Sequence, residues 1–483
     1  MAGIADGVTT DPFRWLDATA QADLVRRGEA SPVELVEAAI ARIERLDPAL
    51  NAVIHHRFER ALEEAAAGPP DGPFRGVPFL LKDLFTDSEG DPAHNGMKAL
   101  RDAGNVGQAD AWLVTRHRKA GFVIAGRTNT PEMGLLPTTE PLAHGPTHNP
   151  WDTAYSPGGS SGGSGAAVAA GLVPVAHATD GGGSIRIPSS MCGCVGLKVS
   201  RGRITMGPDR DESGVSVGHV ISRSVRDSAG VLDATHGPGP GDMVIAPAPA
   251  RPYVEEVGAD PGPLRVGMLA SNPQGPLHPD CETAVRGAAK LLESLGHHVE
   301  EAHPAALDGT EMATQFAARW CANAAFGLVA AGTVVGRTLG AEDVEPITWA
   351  LAEFGRTFSA VDLAGALAAS ARFTRSIGLW FADGWDLLLT PTLGQPPPRL
   401  GEIGAGADNP LEALAKAGPY AAFTSSFNVT GQPAISLPLH WNDAGLPIGV
   451  QLVAAYARED VLLRVAGQLE QAAPWSDRRP LVS

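Results

Sequence analysis

The sequence is poor in the groups that most often announce a binding chemistry. Of 483 residues only four are cysteines, Cys192, Cys194, Cys281 and Cys321. Cys192 and Cys194 stand too close for an ordinary disulfide, and no pair has zinc-finger spacing. Neither HExxH nor a phosphate loop ending in GK[ST] occurs, so no metal and no cofactor are expected. Basic residues are scarce, 37 against 54 acidic ones, for a formal net charge of −17. Without a Lys/Arg cluster to neutralise phosphates, nucleic acid and membrane are poor partners. Met1 to Trp15 has no basic n-region followed by an apolar stretch. The longest small-apolar run, Gly165 to Ala176, is broken by glycine and Pro174 and is too short to span a bilayer. These absences lead us to expect a soluble, reducing, cytoplasmic setting.

What is plentiful is apolar surface, glycine and proline. Hydrophobic residues make up 44% and charged ones only 19%, enough for a large core. With 57 glycines and 40 prolines, many tight turns are expected rather than a helical bundle. Ser31, Pro32 and Glu34 form a capping-box signal ahead of apolar residues at helical spacing to Leu46. A second helix is predicted over Arg57 to Ala67. Val77 to Lys82, Phe122 to Gly126, Val173 to Ala178 and Leu264 to Leu269 read as strands. Further helices are predicted at Ala109–Lys119, Pro279–Leu295, Glu311–Ala331, Ala360–Phe381 and Arg458–Gln471. Strands follow at Leu387–Leu389, Ala434–Leu439 and Ile448–Val453. This alternation argues an α/β layered fold. His236 to Pro263, rich in Pro and Gly, reads as a long surface connection and not a domain boundary.

The segment from Ser156 to Arg203 carries the chemistry. Gly158, Gly159, Gly162 and Gly163 surround Ser160 and Ser161, where the backbone can adopt conformations closed to other residues. Gly181, Gly182 and Gly183 precede Ser184 and would bare a row of backbone N–H groups beside its hydroxyl. Such a row can hold the oxyanion of a tetrahedral intermediate, worth about 3–4 kcal/mol per donor. A nucleophilic serine next to its own oxyanion hole is what acyl transfer needs. A base must take its proton. His177 follows Val175 and Ala176 in an apparent strand and reads as a packed residue. Lys82 ends the apolar run Val77-Pro78-Phe79-Leu80-Leu81, and burial would make its amine a usable base.

In order, PGGSSGGS, a small-residue helix, TDGGGSIRIP and GLKVSRGR resemble the signature of the amidase signature family. The resemblance extends from Gly76–Asp83, through Arg127–Glu132 and Thr147–Asp152, to Trp385–Thr392, Asn428–Pro438 and Gly445–Gln451. It implies a single α/β/α domain around a mixed β-sheet over 1–483, with an N-terminal helical segment at about 11–68 and a signature core at about 76–203. It also implies a serine amidohydrolase with Ser184 as the acylated nucleophile. Ser160 would be the bridging serine, following a cis peptide bond, and Lys82 the base. The oxyanion hole would comprise Gly181, Gly182, Gly183 and the N–H of Ser184. Asp180 and Arg186 would hold the loop. Gly181 stands where many members have Thr, and Val199-Ser200 replaces a common Pro-Thr.

The same resemblance implies a small amide or carbamate as substrate, cyclic amides included, with Cys321 as either a pocket residue or an inert buried helix residue; Met133, just after the Thr130-Pro131-Glu132 turn, is a further candidate for the pocket wall. Carbamates, aryl amides and esters are open alternatives with the same catalytic set. A subunit of a tRNA-dependent amidotransferase is an alternative of another class. The N-terminal helices could serve a homodimer. Gly158 to Gly162 also fits the G-x-S-x-G nucleophile elbow, but the turn-forming lead-in Asn149 to Pro157 is no strand, and that reading fails.

Overall fold

The computed structural model describes residues 11–210, 214–272, 275–404 and 409–483. Most of the Met1–Trp15 stretch, read above for a signal, lies outside them. The strands are β1 Val53–His56, β2 Pro78–Lys82, β3 Val123–Thr128, β4 Val175–Asp180, β5 Val195–Lys198 and β6 Val217–Ser222. They continue with β7 Arg265–Met268, β8 His298–Glu301, β9 Leu387–Pro391, β10 Ala434–Trp441 and β11 Pro447–Ala454. All join one 11-stranded sheet in the order β1-β3-β2-β4-β6-β5-β10-β11-β9-β7-β8. β2 runs parallel to β3 and β4, as β7 does to β8 and β9, and the pairs between these two groups are antiparallel. The sheet is therefore mixed, and the fold is α/β.

Side-chain alternation along β2 shows why helices cover both faces. Leu80 packs into a cluster with Val36 and Ile43 of the Pro32–Leu46 helix and Ala166 of the Gly162–Ala169 helix. Its neighbours Phe79 and Leu81 point the other way, into a cluster with Ala22, Val114 and Val231 from three other helices. A strand covered on both sides must be apolar throughout, and all five residues of β2 are buried. That continuous burial carries Lys82, at the strand's end, into the interior. The Pro32–Leu46 helix starts with the expected capping box: Glu34 N–H donates to Ser31 Oγ, and Ser31 N–H to the Glu34 carboxylate.

The Glu311–Val335 helix extends beyond the predicted end at Ala331. Among the described residues it is the one helix long and apolar enough, by length and composition, to cross a membrane, and the sequence reading did not anticipate it. Cys321, Ala324, Leu328 and Ala331 on one face are buried, while Phe326, Val329 and Val334 are exposed. It packs against the Pro346–Arg356 and Ala360–Ala382 helices.

Two buried carboxyls fasten this helical layer to the turn at 132–134. Both Glu132 carboxylate oxygens accept from the N–H of Glu345, the N-cap of the Pro346–Arg356 helix, and Glu345 Oε1 accepts from Leu142 N–H. Burial, with the Glu345 charge adding, pushes the Glu132 carboxyl up to about 8, and burial pushes Glu345 up to about 7. A carboxyl whose folded pKa exceeds its unfolded one subtracts stability as pH rises from its unfolded value through its folded value. The thermal midpoint is therefore expected to fall between pH 5 and pH 9. Glu132→Gln should flatten that fall while matching the parent at pH 5. Equal slopes in parallel melts would refute this.

Candidate active site

β2 and β4 are parallel neighbours, paired at Leu80 and Ala176, so their C-terminal ends open on the same edge of the sheet. Crevices beyond such strand ends are where open α/β sheets bind ligands. Lys82 ends β2, and Thr179 and Asp180 end β4. Lys82 is fully buried, and its Nζ donates to Ser160 Oγ at 2.7 Å and to Thr179 Oγ1 at 2.9 Å. Burial lowers its pKa well below the ordinary value, with Arg210 adding to the shift and Asp180 opposing it. The amine is thus biased towards its neutral form, which can accept a proton.

Ser160 is held from several sides. The Gly159–Ser160 peptide bond is cis. A Cβ on Gly159 would lie 2.5 Å from the Thr138 carbonyl oxygen, so only glycine fits that turn. Gly134, at φ +69°, backs onto the hydroxyl: a Cβ there would come within 3.1 Å of Ser160 Oγ. Ser161 Oγ donates to the Thr179 carbonyl, tying the serine turn to the end of β4.

The glycine loop winds around the Asp180 carboxylate. Asp180 Oδ1 accepts from Gly183 N–H at 2.8 Å, Arg186 Nη2 at 2.9 Å and Asn428 Nδ2 at 2.8 Å. Its Oδ2 accepts from Arg186 Nε at 2.9 Å and Ile185 N–H at 3.2 Å. Burial would raise the Asp180 pKa, but the Arg186 guanidinium overrides it and holds the carboxyl down to about 2. Arg186 also reaches the Gln451 side chain and the Thr424 carbonyl, closing a network with no exposed member. Removing one partner of such a pair strands a buried charge, at a cost of about 3–5 kcal/mol. Arg186→Leu should lose stability of that order in denaturant melts. A change below about 1 kcal/mol would show that the network is dispensable.

One expectation needs correcting. The resemblance counts Gly183 among the oxyanion donors, but its N–H is already committed to Asp180. Among the described residues, the N–H groups of Gly181, Gly182 and Ser184 find no acceptor, and these three are the free donors beside the Ser184 hydroxyl. Ser184 is 7% exposed, against 1% for Ser160 and 0% for Lys82, and is the most open of the three.

Partners that the sequence left unmarked complete the site. Thr179 holds the Lys82 amine. Thr424 Oγ1 donates to the Gly182 carbonyl at 2.6 Å and fixes the loop. Phe316 and Trp320, stacked with centroids 5.2 Å apart, lie over the glycines. A Cβ on Gly182 would come within 3.1 Å of the Phe316 ring, and one on Gly181 within 3.2 Å of Trp320. Cys321 follows Trp320 but turns into an apolar cluster with Leu136, Ala324, Ile347 and Leu351, where burial raises its thiol to about 11. Met133, at φ +52°, packs into a second cluster with Met97 and Leu328, its methyl group against Gly327. Cys321 therefore stands in apolar packing that Trp320 borders, and Met133 in a separate apolar cluster. A groove of about 400 Å³ lined by Met312, Gln315, Ser370 and Phe373 opens on the same helical layer but does not include Ser160 or Ser184. His177 is buried in β4 beside His117, as a packed residue would be.

Comparison with known proteins agrees with this geometry. Residues 34–463 match the family model described as Amidase. The chain is 46% identical, over 96% of both chains, to the 6-aminohexanoate-cyclic-dimer hydrolase of Paenarthrobacter ureafaciens. A solved structure of 6-aminohexanoate cyclic dimer hydrolase complexed with substrate superposes with a TM-score of 0.94 at 45% identity, covering 97% of this chain and 99% of that one. A bacterial aryl acylamidase of the amidase signature family superposes with a TM-score of 0.87 at 27% identity, covering 96% and 98%. The chain belongs to the amidase signature family and is a hydrolase of carbon–nitrogen amide bonds.

Proposed function

We propose that this amidase opens small, uncharged amides, 6-aminohexanoate cyclic dimer first among them, through an acyl-enzyme on Ser184. The observation that carries the mechanism is the 2.7 Å hydrogen bond from Lys82 Nζ to Ser160 Oγ in a fully buried setting beside the Ser184 loop. In its neutral form the Lys82 amine takes the Ser160 proton as Ser160 takes that of Ser184. Ser184 Oγ then adds to the amide carbonyl. The N–H groups of Gly181, Gly182 and Ser184 receive the oxyanion. The proton returns through Ser160 to the departing nitrogen and the C–N bond breaks, which frees the amine; from a cyclic amide it stays tethered to the acyl group until the ester is cleaved. Water, activated through the same pair, hydrolyses the ester.

The substrate reading is supported by the relative whose structure was solved with its substrate and by the character of the wall. Phe316 and Trp320 cover the glycine loop, and the apolar Cys321 cluster packs against Trp320. Such a lining favours an uncharged amide over an ionic one. The test is release of primary amine from the cyclic dimer, whose ring opens to a linear dimer with one new amine and one new carboxylate. Turnover at a rate above that on anilides and aryl carbamates is expected. Turnover on those alone would keep the serine chemistry and replace the substrate.

A further inference from the structure

Four side chains converge beside β2 and take no part in the chemistry above. His55 belongs to β1, Asp83 follows the end of β2, His94 lies on the loop after it, and His144 lies on the stretch leading to the serine turn. One ligand atom from each, an imidazole nitrogen or a carboxylate oxygen, lies within 4.8 Å of all the others. The His55 ring centroid is 4.6 Å from that of His94 and 5.2 Å from that of His144. His55 Nε2, His94 Nδ1 and His144 Nε2 are all buried with no hydrogen-bond partner. Leaving one buried polar atom unsatisfied is costly, and here three share one small space. A single cation among them would satisfy all three.

We propose that His55, Asp83, His94 and His144 form a binding site for a divalent transition-metal ion, Zn²⁺ foremost. Three imidazoles and one carboxylate suit zinc, whereas magnesium and calcium take oxygen ligands. Bonds of about 2.0–2.2 Å around a tetrahedral ion hold ligand atoms roughly 3.4 Å apart. The widest separation must close by about an ångström or slightly more, a movement within the reach of four rotating side chains.

Asp83 is positioned by the N–H groups of His94 at 3.0 Å and Gly96 at 3.4 Å, and by Arg127 Nε at 3.3 Å. Such outer contacts aim a ligating carboxylate. The Arg127 charge opposes a cation, and the carboxylate between them offsets it. His55 and His144 are half-buried, which gives an ion a way in, while Asp83 and His94 are buried. The ion would tie β1, the loop after Lys82 and the 141–146 stretch together as a structural clamp, apart from the reacting groups.

The test uses the full-length protein stripped with chelator. Calorimetric titration with ZnCl₂ is expected to show one equivalent bound, with a higher thermal midpoint in its presence. Co²⁺ should give the intense visible absorption of a tetrahedral site. His55→Phe and His144→Phe keep ring size, and each should weaken zinc binding by at least about tenfold. Absence of one-to-one binding to the parent protein overturns the site. So does undiminished affinity in both variants, which would place the ion on exposed imidazoles such as His298.

Discussion

Replacing Ser184 with alanine is expected to lower amide turnover by at least about 10⁴-fold while leaving the fold unchanged. Loss of a serine nucleophile elsewhere costs about this much or more, because only oxyanion binding and positioning remain. The fold should tolerate the change because the Ser184 hydroxyl makes no hydrogen bond among the described residues, so its removal strands no partner. Ser184 is also slightly exposed, so no sealed cavity forms. Amine release measured against the parent protein checks the rate. Mass spectrometry of enzyme quenched during turnover checks the intermediate: the parent should carry the mass of one acyl group on the peptide containing Ser184, and the variant none. An acylated variant, or one with ordinary turnover, would move the nucleophile elsewhere, Ser160 being the next hydroxyl in reach of Lys82.

The site was legible where its residues are constrained by their near neighbours in sequence. Ser160, Ser184 and the glycines lie in one segment in which composition itself signals tight backbone geometry. Lys82 was legible because an apolar run ends on it, and β2 is indeed buried throughout. The Gly183 assignment failed because which way an N–H points depends on Asp180, and no spacing rule reports that. Thr424 and Asn428, which fasten the loop, come from the far end of the chain, 242 and 248 residues from the groups they hold. The His55, Asp83, His94 and His144 group was invisible for the same reason, since its members come from separate segments. Among the elements, β8 was missed: His298–Glu301 is an edge strand with no buried residue, so it lacks an apolar pattern. The Arg186–Cys192 helix was missed because it carries Pro188 and is buried all round, leaving no amphipathic period to read.

Lys82 offers the sharper test of the proton relay, because its loss can be separated from damage to the fold. Lys82→Ala should reduce kcat by about 10³-fold or more, in the range of a lost general base and its partner acting as a unit. It would also open a cavity and leave the hydroxyls of Ser160 and Thr179 without their donor, so some stability would go with it. Lys82→Met removes the amine and keeps most of the volume. Methionine strands the same two hydroxyls but opens no cavity and carries no amine to desolvate, so the thermal midpoint of this variant should lie above the alanine variant's and close to the parent's. Its kcat should nonetheless fall as far as that of the alanine variant, with KM nearly unchanged, because the amine acts on Ser160 and not on the substrate. Stopped turnover in a protein about as stable as the parent would assign the loss to proton transfer. Parent-like kcat in the methionine variant would remove Lys82 from the mechanism, whatever the alanine variant does.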